Sequence, residues 1–248
     1  MDSPVVASAP TRIDLAGGWT DVGPYPSDFG GEVVNFAINL RVTVEAKPDS
    51  DEKAIFPVPR GSGLGTSSAL QVALEALSNP EEIEKPHIIA EKAFSSESQN
   101  GNFCGRQDQW ASALGGFNHL LFIGDSVEKI PFEPMRSSKN WLKKHFILAH
   151  TGISRISGEM QTPVWQRYID GDSNVKNGLH IISGEAREMA NGLQRDRRDL
   201  VVNSLRTVCH GVDMIHPSIH EPFKHVMGLS LIHISEPTSL LSISDAVL

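Results

Sequence analysis

The segment Pro59-Arg60-Gly61-Ser62-Gly63-Leu64-Gly65-Thr66-Ser67-Ser68-Ala69-Leu70 constrains the fold more than any other. Three glycines alternate with other residues directly ahead of an apolar helical pattern, Leu70, Ala73, Leu74 and Leu77, which Asn79-Pro80 stops. Glycine permits unusual backbone angles and close approach of a ligand. The helix behind it offers unpaired N–H groups and a positive dipole end to an anion. Thr66, Ser67 and Ser68 add hydroxyls that suit phosphate or a metal. No Gly-Lys-Ser/Thr is present, so this is not a Walker loop. A glycine-rich turn closed by a Ser/Thr cap satisfies the same residues, and the loop alone does not choose between the two.

The rest of the chain supplies both kinds of element. Val34, Phe36, Ile38, Leu40, Val42 and Val44 alternate with mostly polar residues, which predicts a long strand with one buried face. Shorter strands are expected at Val5–Ala9, Phe117–Ile123 and Phe146–His150. Helices are expected at His87–Phe94, from Gln107 to Gly115-Gly116, and over Gly158–Tyr168, Val175–Leu193 and Asp199–His210. The first half therefore mixes strands and helices, the second is mostly helical, and a boundary falls near Pro134–Lys139.

Composition narrows the function classes. At 248 residues the chain can bury a sizeable core without disulfide or metal support. A net charge of −8, with no basic block, makes DNA or an anionic membrane a poor partner. An aromatic content of 6% argues against a stacking platform for single strands. No apolar run is long enough to span a bilayer, and the start lacks a signal-peptide pattern. Cys104 and Cys209 make no disulfide framework, and no Cys/His cluster has zinc spacing. These features predict a reduced cytoplasmic protein that binds neither nucleic acid nor membrane.

Two further segments hold chemistry-bearing residues. Ala9-Pro10-Thr11-Arg12-Ile13-Asp14-Leu15-Ala16-Gly17-Gly18-Trp19-Thr20-Asp21 places a cation before a Trp-Thr-Asp cluster. A carboxylate and an indole suit a sugar, and a turn with a solvated Asp and a core Trp fits equally. Phe103-Cys104-Gly105-Arg106-Gln107-Asp108-Gln109-Trp110 sets Asp108 after a glycine turn, where it can cap a helix or serve as a general base.

Together and in this order, the three segments resemble the galactokinase–homoserine kinase–mevalonate kinase–phosphomevalonate kinase (GHMP) superfamily. Ala9–Asp21 is similar to its first motif, Pro59–Ala69 to its phosphate loop, and Cys104–Gln109 to the segment that carries the catalytic aspartate of its sugar kinases. Gly17-Gly18-Trp19-Thr20-Asp21 and Gly105-Arg106-Gln107-Asp108-Gln109 resemble the branch of D-glycero-D-manno-heptose 7-phosphate kinases and L-fucokinases. The resemblance runs from about Val5 to about Phe223. It implies an α+β, two-lobed fold: an ATP-binding lobe of ribosomal-protein-S5-like type over residues 1–135 and a second α+β lobe over 136–228. It implies ATP-dependent phosphorylation of a sugar or sugar-phosphate hydroxyl, with ATP and Mg²⁺ as cofactors and no implied oligomeric state. Asp108 would take the hydroxyl proton, and Arg12 would stabilise charge near the transferred phosphoryl. Trp19, Thr20 and Asp21 would face the sugar. Gly61, Gly63, Leu64, Gly65, Thr66, Ser67 and Ser68 would cradle ATP. Ser67 and Glu97 would bind magnesium, and Arg155, in His150–Arg155, would hold a sugar phosphate or form a surface ion pair. A sugar and nucleotide sensor without catalysis is the alternative on the same fold.

The chain departs from the family pattern twice. The connection Lys47–Pro57 is short where the family carries further strands and a helix. After Gly228, Leu229-Ser230-Leu231-Ile232-His233-Ile234-Ser235-Glu236-Pro237-Thr238 reads like a translated sequencing-library adapter, and the family's second glycine-rich loop does not follow His216-Pro217-Ser218-Ile219. Residues 229–248 are therefore expected to lie outside the domain. The chain as written is expected to fold poorly and to show little kinase activity.

Overall fold

The computed structural model describes residues 4–47, 50–99, 104–148, 157–221 and 240–241. Its centre is a five-stranded antiparallel sheet. Strand β1 (Val5–Ala16) pairs with β2 (Gly31–Lys47), β2 pairs with β4 (Phe117–Ile123), and β4 pairs with β5 (Ser126–Lys129). Strand β3 (Ser50–Ile55) pairs with the far end of β2. Pro10 lies inside β1, which among the described residues pairs with β2 alone, so its missing N–H costs no ladder bond on a second side.

The long strand buries both faces rather than one. Val33 and Val34 are both fully buried, on opposite sides. The register against β1 shifts between Pro10 and Arg12, whose partners are Arg41 and Ala37, so β2 carries extra residues there. Beyond that bulge the even residues change company. Val34 packs with Ile13, Leu15, Met189 and Leu193, whereas Val42 and Val44 pack with Ala69, Val72 and Ile89. Period-2 spacing persists through the bulge, while the side it serves does not.

Helices α2 (Thr66–Ser78), α3 (Pro86–Ser98) and α4 (Gln107–Leu114) lie against the sheet beneath Val33, Val42 and Val44. The opposite side is covered by α7 (Ser173–Gln194), backed by α8 (Arg198–Ile215). Asp172 caps α7 by accepting hydrogen bonds from the N–H groups of Asn174 (2.8 Å) and Val175 (3.4 Å). The two long helices cross at glycines: a Cβ on Gly178 would stand 2.7 Å from the Gly211 carbonyl oxygen. Buried Glu32 ties α7 to the sheet: it is bound to buried His119 (2.7 Å) and to the exposed Arg187 of α7 (2.8 Å). Helix α1 (Tyr25–Asp28) follows the loop after β1, and α6 (Ser157–Ile169) joins α7 in a second core with Tyr25 and Trp165.

Several elements were not expected, the short α1 and β7 among them. Strand β3 reads Ser-Asp-Glu-Lys-Ala-Ile, with three successive charges and no alternation, and only its pairing with β2 makes it a strand. The four residues of β5 extend the β4 hairpin. Helix α5 (Arg136–His145) occupies the predicted boundary, where Trp141 and Leu142 are buried against α7 residues. The predicted strand at Phe146–His150 reduces to β6 (Phe146–Ile147), paired in parallel with β7 (Leu240–Leu241); Ala149 and His150 lie outside the described residues.

Candidate active site

The three motifs converge at one end of the sheet, and Arg12 is the hub. It sits on β1 with its side chain 12% exposed. Its Nε donates to Asp108 Oδ1 at 2.7 Å and its Nη2 to Asp108 Oδ2 at 2.9 Å, a bidentate fork. Its Nη1 donates to the carbonyl of Gly63 at 2.7 Å, and its backbone N–H donates to the carbonyl of Leu64 at 3.1 Å. One guanidinium thus joins the glycine loop to the first turn of α4. Burial works against its charge, but Asp108, Asp14 and Asp21 together hold it firmly protonated.

The glycine loop is not closed by a hydroxyl cap. The cap position of α2 is Gly65 itself, at φ +69°, and it makes no side-chain bond. Gly61 and Gly63 also have positive φ, +76° and +79°, a region that favours glycine. Thr66, Ser67 and Ser68 occupy the first turn, so their N–H groups carry the exposed dipole end of the helix. Ser62 is buried within the loop, and its hydroxyl has no partner among the described residues. Leu64 is fully buried and anchors the loop in the main core.

A second carboxylate stands beside this helix start. Glu97, near the end of α3, accepts from Ser67 Oγ at 2.6 Å, from Ser68 Oγ at 2.8 Å and from Gln109 Nε2 at 2.7 Å. Asp108 does not cap α4 either: Arg106 holds the cap position without a side-chain bond, and Asp108 turns to Arg12. The N–H at the start of α4 is satisfied from elsewhere, since Gln107 N–H donates to Asp21 Oδ2 at 3.0 Å. Asp21 is therefore buried rather than solvated.

Each of the three aspartates is overlaid by a glycine. A Cβ would come within 1.8 Å of Asp14 Oδ2 at Gly18, 1.9 Å of Asp21 Oδ2 at Gly105, and 3.0 Å of Asp108 Oδ2 at Gly65. Burial, opposed by Arg12, pushes Asp14 up to about 7; burial, opposed by the Gln107 N–H, pushes Asp21 up to about 6. Sequence reasoning gave no role to Asp14, Gln107 or Gln109. Asp14 lay in view within the first motif, but only the fold aims it at Gln107.

The residues expected to face a sugar divide. Thr20 is fully buried, and its hydroxyl donates to the Gly17 carbonyl at 2.6 Å and accepts from Glu32 N–H at 3.2 Å, so it braces the loop and does not line the cleft. Trp19 is half-buried against the α6–α7 core, at a φ of +79° that a bulky residue seldom adopts. Arg155 lies outside the described residues.

The short Ser67–Glu97 pair suits Mg²⁺, a hard cation that proteins hold with one or two oxygen groups while nucleotide phosphates complete its shell. Among the described residues no group of three or more His, Cys, Asp or Glu could hold a metal ion without such help.

No family model matches the chain. It is 26% identical over 245 residues to the D-glycero-alpha-D-manno-heptose 7-phosphate kinase of Campylobacter jejuni, covering 75% of this chain and 70% of that protein. It is 35% identical over 98 residues to the L-fucokinase/L-fucose-1-P guanylyltransferase of Bacteroides fragilis, which covers 38% of this chain and 10% of that protein. Among solved structures, a D-glycero-D-manno-heptose 1-phosphate kinase from Bacteroides thetaiotaomicron superposes with a TM-score of 0.66 at 21% identity, over 90% of this chain and 82% of that one. By fold and by sequence relatives alike, the chain is similar to GHMP-type sugar kinases.

Proposed function

We propose that the chain transfers the γ-phosphoryl of ATP to a hydroxyl of a sugar phosphate of the heptose 7-phosphate type or of a fucose-like sugar. The observation that carries this reading is the Arg12 bridge, which sets a carboxylate one guanidinium away from an anion-binding loop. Phosphoryl transfer needs positioning and charge neutralisation more than covalent chemistry. The loop from Gly61 to Ser68 presents N–H groups to the phosphates. Arg12 is placed to move from Asp108 toward charge that develops on the transferred group, which would free Asp108 to accept the hydroxyl proton. Asp21 and Trp19 border the acceptor side, with Arg155 as the further candidate for a sugar phosphate.

When bound, Mg²⁺ would neutralise phosphate charge, held by Ser67 and Glu97. Ser67→Ala and Glu97→Gln are each expected to raise the magnesium concentration needed for half-maximal activity, because each removes an oxygen ligand. Magnesium titrations that overlay the wild type for both variants would remove these residues from the metal site.

The cytoplasm, where ATP is held and thiols stay reduced, is the compartment that suits Cys104 and Cys209, which form no disulfide among the described residues. No helix among the described residues is long and apolar enough to cross a membrane. The reading is tested by a screen of labelled ATP against heptose 7-phosphate, fucose and galactose. Transfer to one of them supports it, and ATP binding without transfer to any sugar would instead favour a sensor.

A further inference from the structure

Asp14 presents a chemical inconsistency if it is ionised. It is buried, its Oδ1 is enclosed and has no partner among the described residues, and Gly18 closes over Oδ2. The charged groups that face it are Arg12 on its own strand, Asp21 on the loop after β1, and Asp108 on α4. Arg12, the single cation among them, has Nε and Nη2 on Asp108 and Nη1 on the Gly63 carbonyl. The remaining close group is the Gln107 side-chain amide, which hydrogen-bonds to Asp14 and reaches Asp21 Oδ1 at 3.4 Å. The amide carbonyl oxygen, Gln107 Oε1, is also enclosed and also has no partner.

Two orphaned acceptors, on side chains that already share one hydrogen bond, could both be satisfied by a single proton. A carboxylic acid and a primary amide form two reciprocal bonds: the acid O–H donates to the amide oxygen, and the amide N–H donates to the acid carbonyl. An unpaired buried acceptor is otherwise costly. We propose that Asp14 works as a neutral carboxylic acid paired with the Gln107 amide, and that this pair is the positioning device that holds the adjacent Asp108 in the cleft. The pair fixes Gln107 from the β1 side while Asp21 fixes it from the loop, so the first turn of α4 is gripped at both ends of one side chain. Ionisation of Asp14 leaves Gln107 Oε1 facing a carboxylate, breaks one of the two bonds and loosens Asp108.

This inference rests on the kinase reading only for its catalytic readout, so the test has two arms. The first is infrared titration of the ligand-free chain. A protonated-carboxyl carbonyl band should titrate near pH 7 in the wild type and be missing in Asp14→Asn. The second is the pH profile of phosphoryl transfer. In the wild type kcat should fall as pH rises through about 7, with KM for ATP little moved. Asn reproduces both reciprocal bonds and cannot ionise, so Asp14→Asn should lose that alkaline fall. Asp14→Ala should lower kcat at every pH by roughly tenfold or more, as expected for lost orientation of a base. Circular dichroism and ATP binding establish that each variant is folded. A wild type with no such infrared band overturns the neutral acid whatever the activity. An unchanged alkaline limb in folded Asp14→Asn overturns the positioning role. Absence of transfer with the infrared band present would count against the kinase reading alone.

Discussion

At the residue scale, the site concentrates acidic charge that the fold holds under strain of desolvation. Asp21 is the clearest case for solution measurement. Its pKa in the folded chain, about 6, exceeds the ordinary aspartate value of 3.8, so between these limits the folded chain binds more protons than the unfolded one. Stability contributed by neutral Asp21 is therefore complete below about 3.8 and is lost as pH rises through about 6. The melting temperature of Asp21→Asn, relative to wild type, should become more favourable as pH is raised from 4 to 8; a difference independent of pH would show that Asp21 does not resist ionisation. The sequence made Asp21, Arg12 and Asp108 visible as chemistry-bearing residues, because each sits beside glycines in a polar segment. It could not show that Thr20 braces the loop or that Asp14 pairs with Gln107. Those facts depend on partners far along the chain, Glu32 for Thr20 and Gln107 for Asp14, returning to one point, and residue type alone carries no such distance.

At the element scale, the parts that local spacing determines were legible. The helices α2, α4, α6, α7 and α8 and the strands β2 and β4 follow apolar periodicity with recognisable stops. Strand β3 was not legible because Asp51, Glu52 and Lys53 give no alternation, and helix α5 because its buried face is little more than Ser138, Trp141 and Leu142. The sidedness of β2 was misread because a bulge opposite Pro10–Arg12 turns an unbroken period-2 pattern from one core to another. The α7–α8 crossing gives a prediction of its own. Gly178→Ala places a Cβ 2.7 Å from a backbone oxygen that cannot rotate away. Overpacking of this kind costs about 1–3 kcal/mol, or several degrees in melting temperature for a chain this size. A thermal scan that matches the wild type would show that the two helices have slack at their crossing.

At the scale of the whole molecule, the main core is shared between the predicted lobes. Ile13, Leu15, Val34 and Leu64 from residues 1–135 pack with Trp141, Met189, Leu193 and Val201 from the remainder. We propose that the two lobes are functional halves, with nucleotide held on the first and the sugar between them, rather than separately stable units. Residues 229–248 we propose to lie outside the domain. Among the described residues of this segment, Leu240–Leu241 adds a two-residue parallel pairing at β6, and on the proposal deletion of 229–248 should shift the melting temperature by no more than ~2 °C, under about 1 kcal/mol. A loss well beyond that would make the segment part of the fold. The central claim is that Asp108, gripped by Arg12 beside the phosphate loop, is the base of a sugar kinase. The most direct measurement compares phosphoryl transfer from labelled ATP by the wild type and by Asp108→Asn, with ATP binding measured in parallel. The account predicts transfer to a sugar or sugar phosphate that falls by roughly 10²-fold or more in Asp108→Asn while ATP binding is kept. Equal transfer by the two proteins would contradict it.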